Sequence, residues 1–315
     1  MTSRHYHRGH KHERRTLNLL GSRVLLFVSV SSVVALLAAT DSRAQIRYAA
    51  GQNVVPVFEG WERNADGSFN MVFGYMNRNY EEQVDIPVGP NNAIDPFDFA
   101  QGRPFDFAQG GPGGDLGQPT HFYPRRQQFV FKVKVPKDWG KKDLVWTLTS
   151  RGKTEKAYGT LLPFWEIDAG TYQQNRGGPG ELGEEDDAPT AKLEGTTQRT
   201  IGVDSPLTLD AYVIDDGRPS NRPSQSGSNP RVEGPLSQAV VKLDRGMRLG
   251  MVWVVYRGDA RAVTFSPAKA AVGEGGKAST TVRFSAPGTY VLRGYADDGI
   301  LFDVVDVTVT VRPIP

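Results

Sequence analysis

The sequence predicts an all-β protein: two β-sandwich domains behind an N-terminal signal peptide. Three observations point there. From residue 54 onward apolar residues recur with period two, and no window shows a 3.6-residue stripe. Asp66-Gly67 and Arg151-Gly152 fall between alternating runs, where hairpins need turns. A Gly-rich and then acidic segment, 168–189, separates two such regions. The 315 residues are 38% hydrophobic and 10% aromatic, enough to fill two ordinary cores. The chain has no cysteine, so both domains must rely on those cores and not on disulfides.

Residues 1–44 read as the signal peptide. Arg4, Arg8, Lys11, Arg14, Arg15 and Arg23 precede or open onto the apolar run at 24–39, and Ser42 and Ala44 are the small residues of a cut after Ala44. The alternative is an uncleaved anchor, although the run is shorter than the about 20 residues a spanning helix needs; membrane contact is expected only in that form. The stretch 13–20 weakly resembles a twin-arginine export signal without its usual phenylalanine, which leaves the export route open. The leader holds seven of the 37 Lys and Arg and two of the 35 Asp and Glu, so the remainder has 30 bases, 33 acids and a net charge of −3. The basic character belongs to the leader, and no nucleic-acid partner is expected. His5, His7, His10 and His12 lie there too, leaving His121 as the mature chain's single histidine. A Cys nucleophile and a multi-His zinc site are thereby excluded, and His121, without a nucleophile elbow in the chain, reads as a surface or loop-packing residue.

In the first domain, 45–167, residues 54–79 form a hairpin around Asp66-Gly67, with Phe69, Met71, Phe73 and Tyr75 on one face. Residues 83–89 supply a short strand. Residues 127–136 alternate again, Phe129, Phe131, Val133 and Val135 inward and Lys132 and Lys134 outward, until Pro136, which cannot donate to a ladder, ends the strand. Residues 143–161 form a second hairpin around Arg151-Gly152, with Leu144, Trp146 and Leu148 sharing a face. An eight-residue unit is copied once at 95–110 with only Asp95 changed to Arg103, too short a repeat for a solenoid; it reads as an inserted exposed loop, or else as an aromatic ligand-binding loop. Segment 168–189 is the linker to the second domain, 190–315, which contains a polar, low-complexity loop after Gly217.

The second domain resembles bacterial immunoglobulin-like and PKD-like sandwich modules over roughly 190–313. The most specific stretch is 286–299, where Gly288-Thr289-Tyr290-Val291-Leu292 matches the Gly-x-Tyr-x-Cys run of strand F. The resemblance implies an immunoglobulin-like fold in which Tyr290 makes a tyrosine corner and Trp253 is the buried strand-C tryptophan. Leu292 stands in the cysteine position, opposite Leu209 or Ala211. These are structural positions and imply no activity.

The expected function is an exported, non-enzymatic binding, adhesion or spacer protein of the periplasm or cell surface, with a protein or polysaccharide partner. The alternative is a carbohydrate-active accessory module or glycoside hydrolase, with Glu166 and Asp168 beside aromatics near the domain junction. Two acidic tips, Asp215-Asp216-Gly217 and Asp297-Asp298-Gly299, are either turn chemistry or, with Glu184, Glu185, Asp186 and Asp187 of the linker, a Ca²⁺ site at the junction.

Overall fold

Period-two alternation becomes strand pairing first in β1 (Val54–Arg63), β2 (Phe69–Asn77) and β7 (Arg125–Val135), an antiparallel sheet in the order β1-β2-β7. The computed structural model describes residues 47–98, 103–104, 114–176, 187–217, 243 and 248–313. The expected signal peptide, Glu184, Glu185, Asp186 and the polar loop from residue 218 lie outside the described residues. Facing the first sheet are β4 (Asn92–Asp98), β5 (Arg103–Pro104), β8 (Asp143–Ser150) and β9 (Lys153–Gly159), ordered β5-β4-β8-β9. A two-stranded ribbon joins β3 (Val84–Asp85) to β6 (His121–Phe122). Met71, Phe73, Phe131 and Val133 of one sheet meet Ile94, Leu144, Trp146 and Leu148 of the other in the core. Trp146 stands edge-on to Phe131 at 4.9 Å and to Phe73 at 6.0 Å, the geometry that aromatic quadrupoles favour. The β8–β9 turn is the one expected: Arg151 and Gly152 both have positive φ, 52° and 71°, as a two-residue hairpin loop requires.

Three expectations for this region need correction. Phe129 is not on the core face with Phe131. Between the register pairs Phe73↔Phe131 and Tyr75↔Gln127, β7 spends three residues against the single Gly74 of β2. Phe129, with φ of 53°, is thereby turned to the outer face, where it packs with Val72, Ile167 and Tyr172. The start of the repeat is not loop: Asp95, Pro96 and Phe97 pair in register with Val145, Leu144 and Asp143 of β8. The segment after residue 168 opens as a helix, α1 (Ala169–Arg176). Asp168 caps it, accepting hydrogen bonds from the Thr171 N–H at 2.7 Å and hydroxyl at 2.8 Å, and Tyr172 anchors it on Phe129. Among the described side chains of this helix Tyr172 is the one apolar residue deeply buried, and one such residue makes no periodic stripe.

The C-terminal lobe has one sheet of β10 (Thr190–Leu193), β12 (Leu207–Ile214), β16 (Lys277–Phe284) and β14 (Val263–Ser266), in that order. The other is β11 (Gln198–Gly202), β18 (Phe302–Arg312), β17 (Gly288–Asp297), β13 (Gly250–Arg257) and β15 (Lys269–Ala271). Every pair is antiparallel except β11–β18. This is the A-B-E-D and A′-G-F-C arrangement of an immunoglobulin-like sandwich. Leu209, Ala211, Trp253, Leu292, Val307 and Val309 close its core.

The two lobes belong to one compact unit, Tyr48–Pro315. The outward face of the second lobe's larger sheet is covered along β13 and β17. Val252, Val254 and Tyr295 pack with Tyr123 of the first lobe, and Tyr256 enters the first lobe's core. Val255 N–H donates to Tyr123 Oη at 2.9 Å, and the Tyr256 hydroxyl donates to the Gly117 carbonyl. Arg293, buried, lies 3.6 Å over the Tyr256 ring, holds Asp306 through two 2.7 Å bonds and donates to the Val130 carbonyl at 2.8 Å. The β13–β17 part of that face is therefore spent inside the chain, while Val304 and Thr310 of β18 stay exposed.

Candidate binding surface

Tyr290 makes the expected corner: its hydroxyl donates to the Ala286 carbonyl at 3.0 Å, and burial pushes its pKa up. Trp253 and Leu292 are both buried in the second core. The acidic tips are drawn into local backbone bonds. Asp297 Oδ1 accepts from Gly299 N–H at 2.5 Å, and Asp298 Oδ1 accepts from Ile300 and Leu301 N–H at 2.6 and 2.9 Å. Asp215 Oδ2 accepts from Gly217 N–H at 3.1 Å. Gly217 and Gly299 take φ of 82° and 101°, which only glycine adopts at little cost. Asp216 Oδ2 lies 3.4 Å from Asp187 N, so the end of the linker does meet the first tip. Among the described residues no group of three or more His, Asp or Glu side chains is arranged to hold a metal ion.

His121 is buried, with Nδ1 2.7 Å from Asp85 Oδ1, Nε2 2.9 Å from Gln83 Oε1, and its ring edge-on to Tyr123 at 4.6 Å. Both nitrogens are occupied, which is the geometry of a packing residue. Asp168 is committed to the α1 cap, and the Thr171 hydroxyl and N–H hold its carboxyl below the usual range. A glycosidase acid needs the opposite shift, so Asp168 is not suited to the acid role, and its carboxylate is already engaged by Thr171.

What the same stretch does offer is a surface. Residues Leu162 to Glu166 are five consecutive exposed residues, with Phe164 at 75%, Leu162 at 49% and Trp165 at 39% exposure, and Tyr158 nearby in sequence at 47%. Their backbone is nonetheless fixed. A single 3₁₀ turn, Pro163–Trp165, closes through Trp165 N–H to Leu162 O at 3.0 Å and Glu166 N–H to Pro163 O at 3.1 Å. Trp61 then ties it to β1: its indole N–H donates to Leu162 O at 2.9 Å, and its carbonyl accepts from Ile167 N–H at 2.8 Å. Gly60 lies directly beneath, at φ of 138°; a Cβ there would sit 2.4 Å from the Trp165 carbonyl oxygen. The Phe164 and Trp165 rings are 5.7 Å apart at 42°, and Trp165 leans on Phe58 at 5.5 Å. Beside them Arg63 and Glu166 form an ion pair at 3.7 Å, both side chains about half exposed. Sequence reading singled out this stretch for its two carboxylates; the exposure of the aromatics depends on the β1 contact and could not be read from the residues themselves.

No protein-family model and no curated protein sequence matches the chain. Solved structures of immunoglobulin-like domains do. The titin M10–obscurin-like 1 Ig complex is similar over 41% of this chain and 99% of its own, at 10% identity and a TM-score of 0.23. The D00-D0 domain of intimin covers 82% of this chain and 100% of its own, at 12% identity and a TM-score of 0.24. Domains 4 and 5 of the S-layer protein SbsC cover 54% and 65%, at 11% identity and 0.23. At such values the immunoglobulin-like assignment rests on this chain's own strand order and tyrosine corner.

Proposed function

We infer that the protein is an exported, non-enzymatic binding protein of the periplasm or cell surface, in which two fused sandwiches form a rigid support for one aromatic turn. The observation behind this reading is that Phe164 and Trp165 are exposed on a backbone held by four hydrogen bonds. Exposed aromatics on a fixed support bind with little ordering cost, since each immobilised side chain otherwise costs about 0.5–1.5 kcal/mol. Export rests on the leader: the exported protein should have the intact mass of a chain beginning at Gln45, and a retained leader would make it an anchored protein.

Binding is tested by sedimentation with isolated cell envelopes of the source organism. The wild-type protein should pellet and Phe164→Ala should stay in the supernatant. Equal pelleting of both, or of neither, overturns the reading.

A further inference from the structure

We propose that the Leu162–Glu166 turn binds a polysaccharide, with the C–H face of a pyranose ring stacked on Phe164 and Trp165 and its hydroxyls bonded by Arg63 and Glu166. This rests on the binding reading above and gives it a ligand class.

The chemistry of the turn matches that ligand on both counts. A pyranose with equatorial hydroxyls presents C–H bonds on its faces and hydroxyls around its rim. An aromatic face carries negative quadrupole charge and attracts polarised C–H groups, and Phe164 and Trp165 offer two such rings side by side. The rim needs donors and acceptors in a plane, which a guanidinium and a carboxylate supply. At 3.7 Å the Arg63–Glu166 pair is too long to be hydrogen-bonded, so both groups can exchange water for sugar hydroxyls without breaking a bond to each other. Arg63 is also oriented beforehand, with its guanidinium carbon 5.5 Å from the Trp61 ring and 5.2 Å from that of Phe69.

Size separates a sugar from a protein partner. A stable protein interface takes about 800 Å² and some 20–30 residues from each side. The large exposed apolar side chains of this turn are Leu162, Phe164 and Trp165, flanked at once by charge. That is room for one or two sugar rings.

Native affinity electrophoresis of the exported protein tests this, in gels containing xylan, mixed-linkage β-glucan, galactomannan or hydroxyethyl cellulose, with sedimentation on purified peptidoglycan as a further arm. At least one polysaccharide should retard the wild type relative to serum albumin. Phe164→Ala should weaken that retardation about tenfold, Phe164→Tyr should keep it, and Arg63→Ala should weaken it with the melting temperature unchanged. No retardation or peptidoglycan binding by the wild type, or equal retardation of Phe164→Ala, overturns the glycan assignment. If Phe164→Ala nevertheless loses the cell envelopes, the binding reading survives with a protein occupant; if it pellets like the wild type, both readings fall.

Discussion

Asp115 and Arg257 join the lobes through two bonds of 2.6 Å, and the Arg257 hydrogen bonds hold the Asp115 carboxyl below its usual range. A carboxyl with a depressed folded-state pKa adds stability above its unfolded pKa of about 3.9, and loses that addition as pH falls through the folded value. Asp115→Asn should therefore melt below the wild type at neutral pH, with a gap that narrows as pH falls below the unfolded value and closes once the folded carboxyl is protonated; a gap that persists in strong acid would show that the pair acts by packing alone. At the acidic tips, one Asp215 oxygen and one each of Asp297 and Asp298 already serve local N–H groups. Addition of 1 mM Ca²⁺ should leave the melting temperature unmoved, and a rise that Asp216→Ala plus Asp298→Ala abolishes would establish the calcium site instead. The legibility of single residues follows the range of their contacts. Tyr290 reaches four residues back to Ala286, and a short motif sufficed to read it. Arg293, three residues further on, finds Val130 from 163 residues away, and nothing local distinguishes it from a solvated arginine.

Among the elements, period-two alternation identified β1, β2, β7, β8 and β9 because each turns alternate large apolar side chains into the core, even in β2, where the other face is buried as well. It failed where geometry breaks the period. Phe129 was misplaced because a bulge opposite Gly74 shifts the face, and β4 went unseen because it runs straight into the repeat. That second failure changes what a deletion should do. Removing 103–110, one copy of the unit, leaves all of β4, takes away among the described residues only the two-residue edge strand β5, and should change the melting temperature by no more than about 2 °C, given the weak dependence of closure entropy on loop length. Removing 95–110 takes away three positions paired with β8. At roughly 1–2 kcal/mol for such a strand end and ~2–4 °C per kcal/mol for a unit of this size, the melt should fall by about 2–8 °C. Equal melts for the two deletions would show that β4 contributes nothing beyond Ile94.

For the molecule as a whole, the decisive feature is that β13 of the second lobe's larger sheet is apolar on both sides. Met251, Trp253 and Val255 point into its own core, while Val252, Val254 and Tyr256 point into the first lobe. Beads on a string keep their outer faces polar and move freely, whereas a large apolar junction removes that freedom. This junction also has buried directional bonds: the Arg293 guanidinium between Tyr256, Asp306 and Val130, and the Tyr123 hydroxyl on Val255. Opening it would expose these groups together, so neither lobe can unfold without destabilising the other. We expect a single calorimetric transition for residues 45–315, with calorimetric and van't Hoff enthalpies equal. Arg293→Ala should lower it by about 2–4 kcal/mol, since it strips the Val130 carbonyl and uncovers Tyr256 in a buried site. Two resolved transitions in the wild-type protein would mean that the lobes are energetically independent. A rigid support for the aromatic turn would then extend no further than the first sandwich, and Arg293→Ala should shift one transition and leave the other in place.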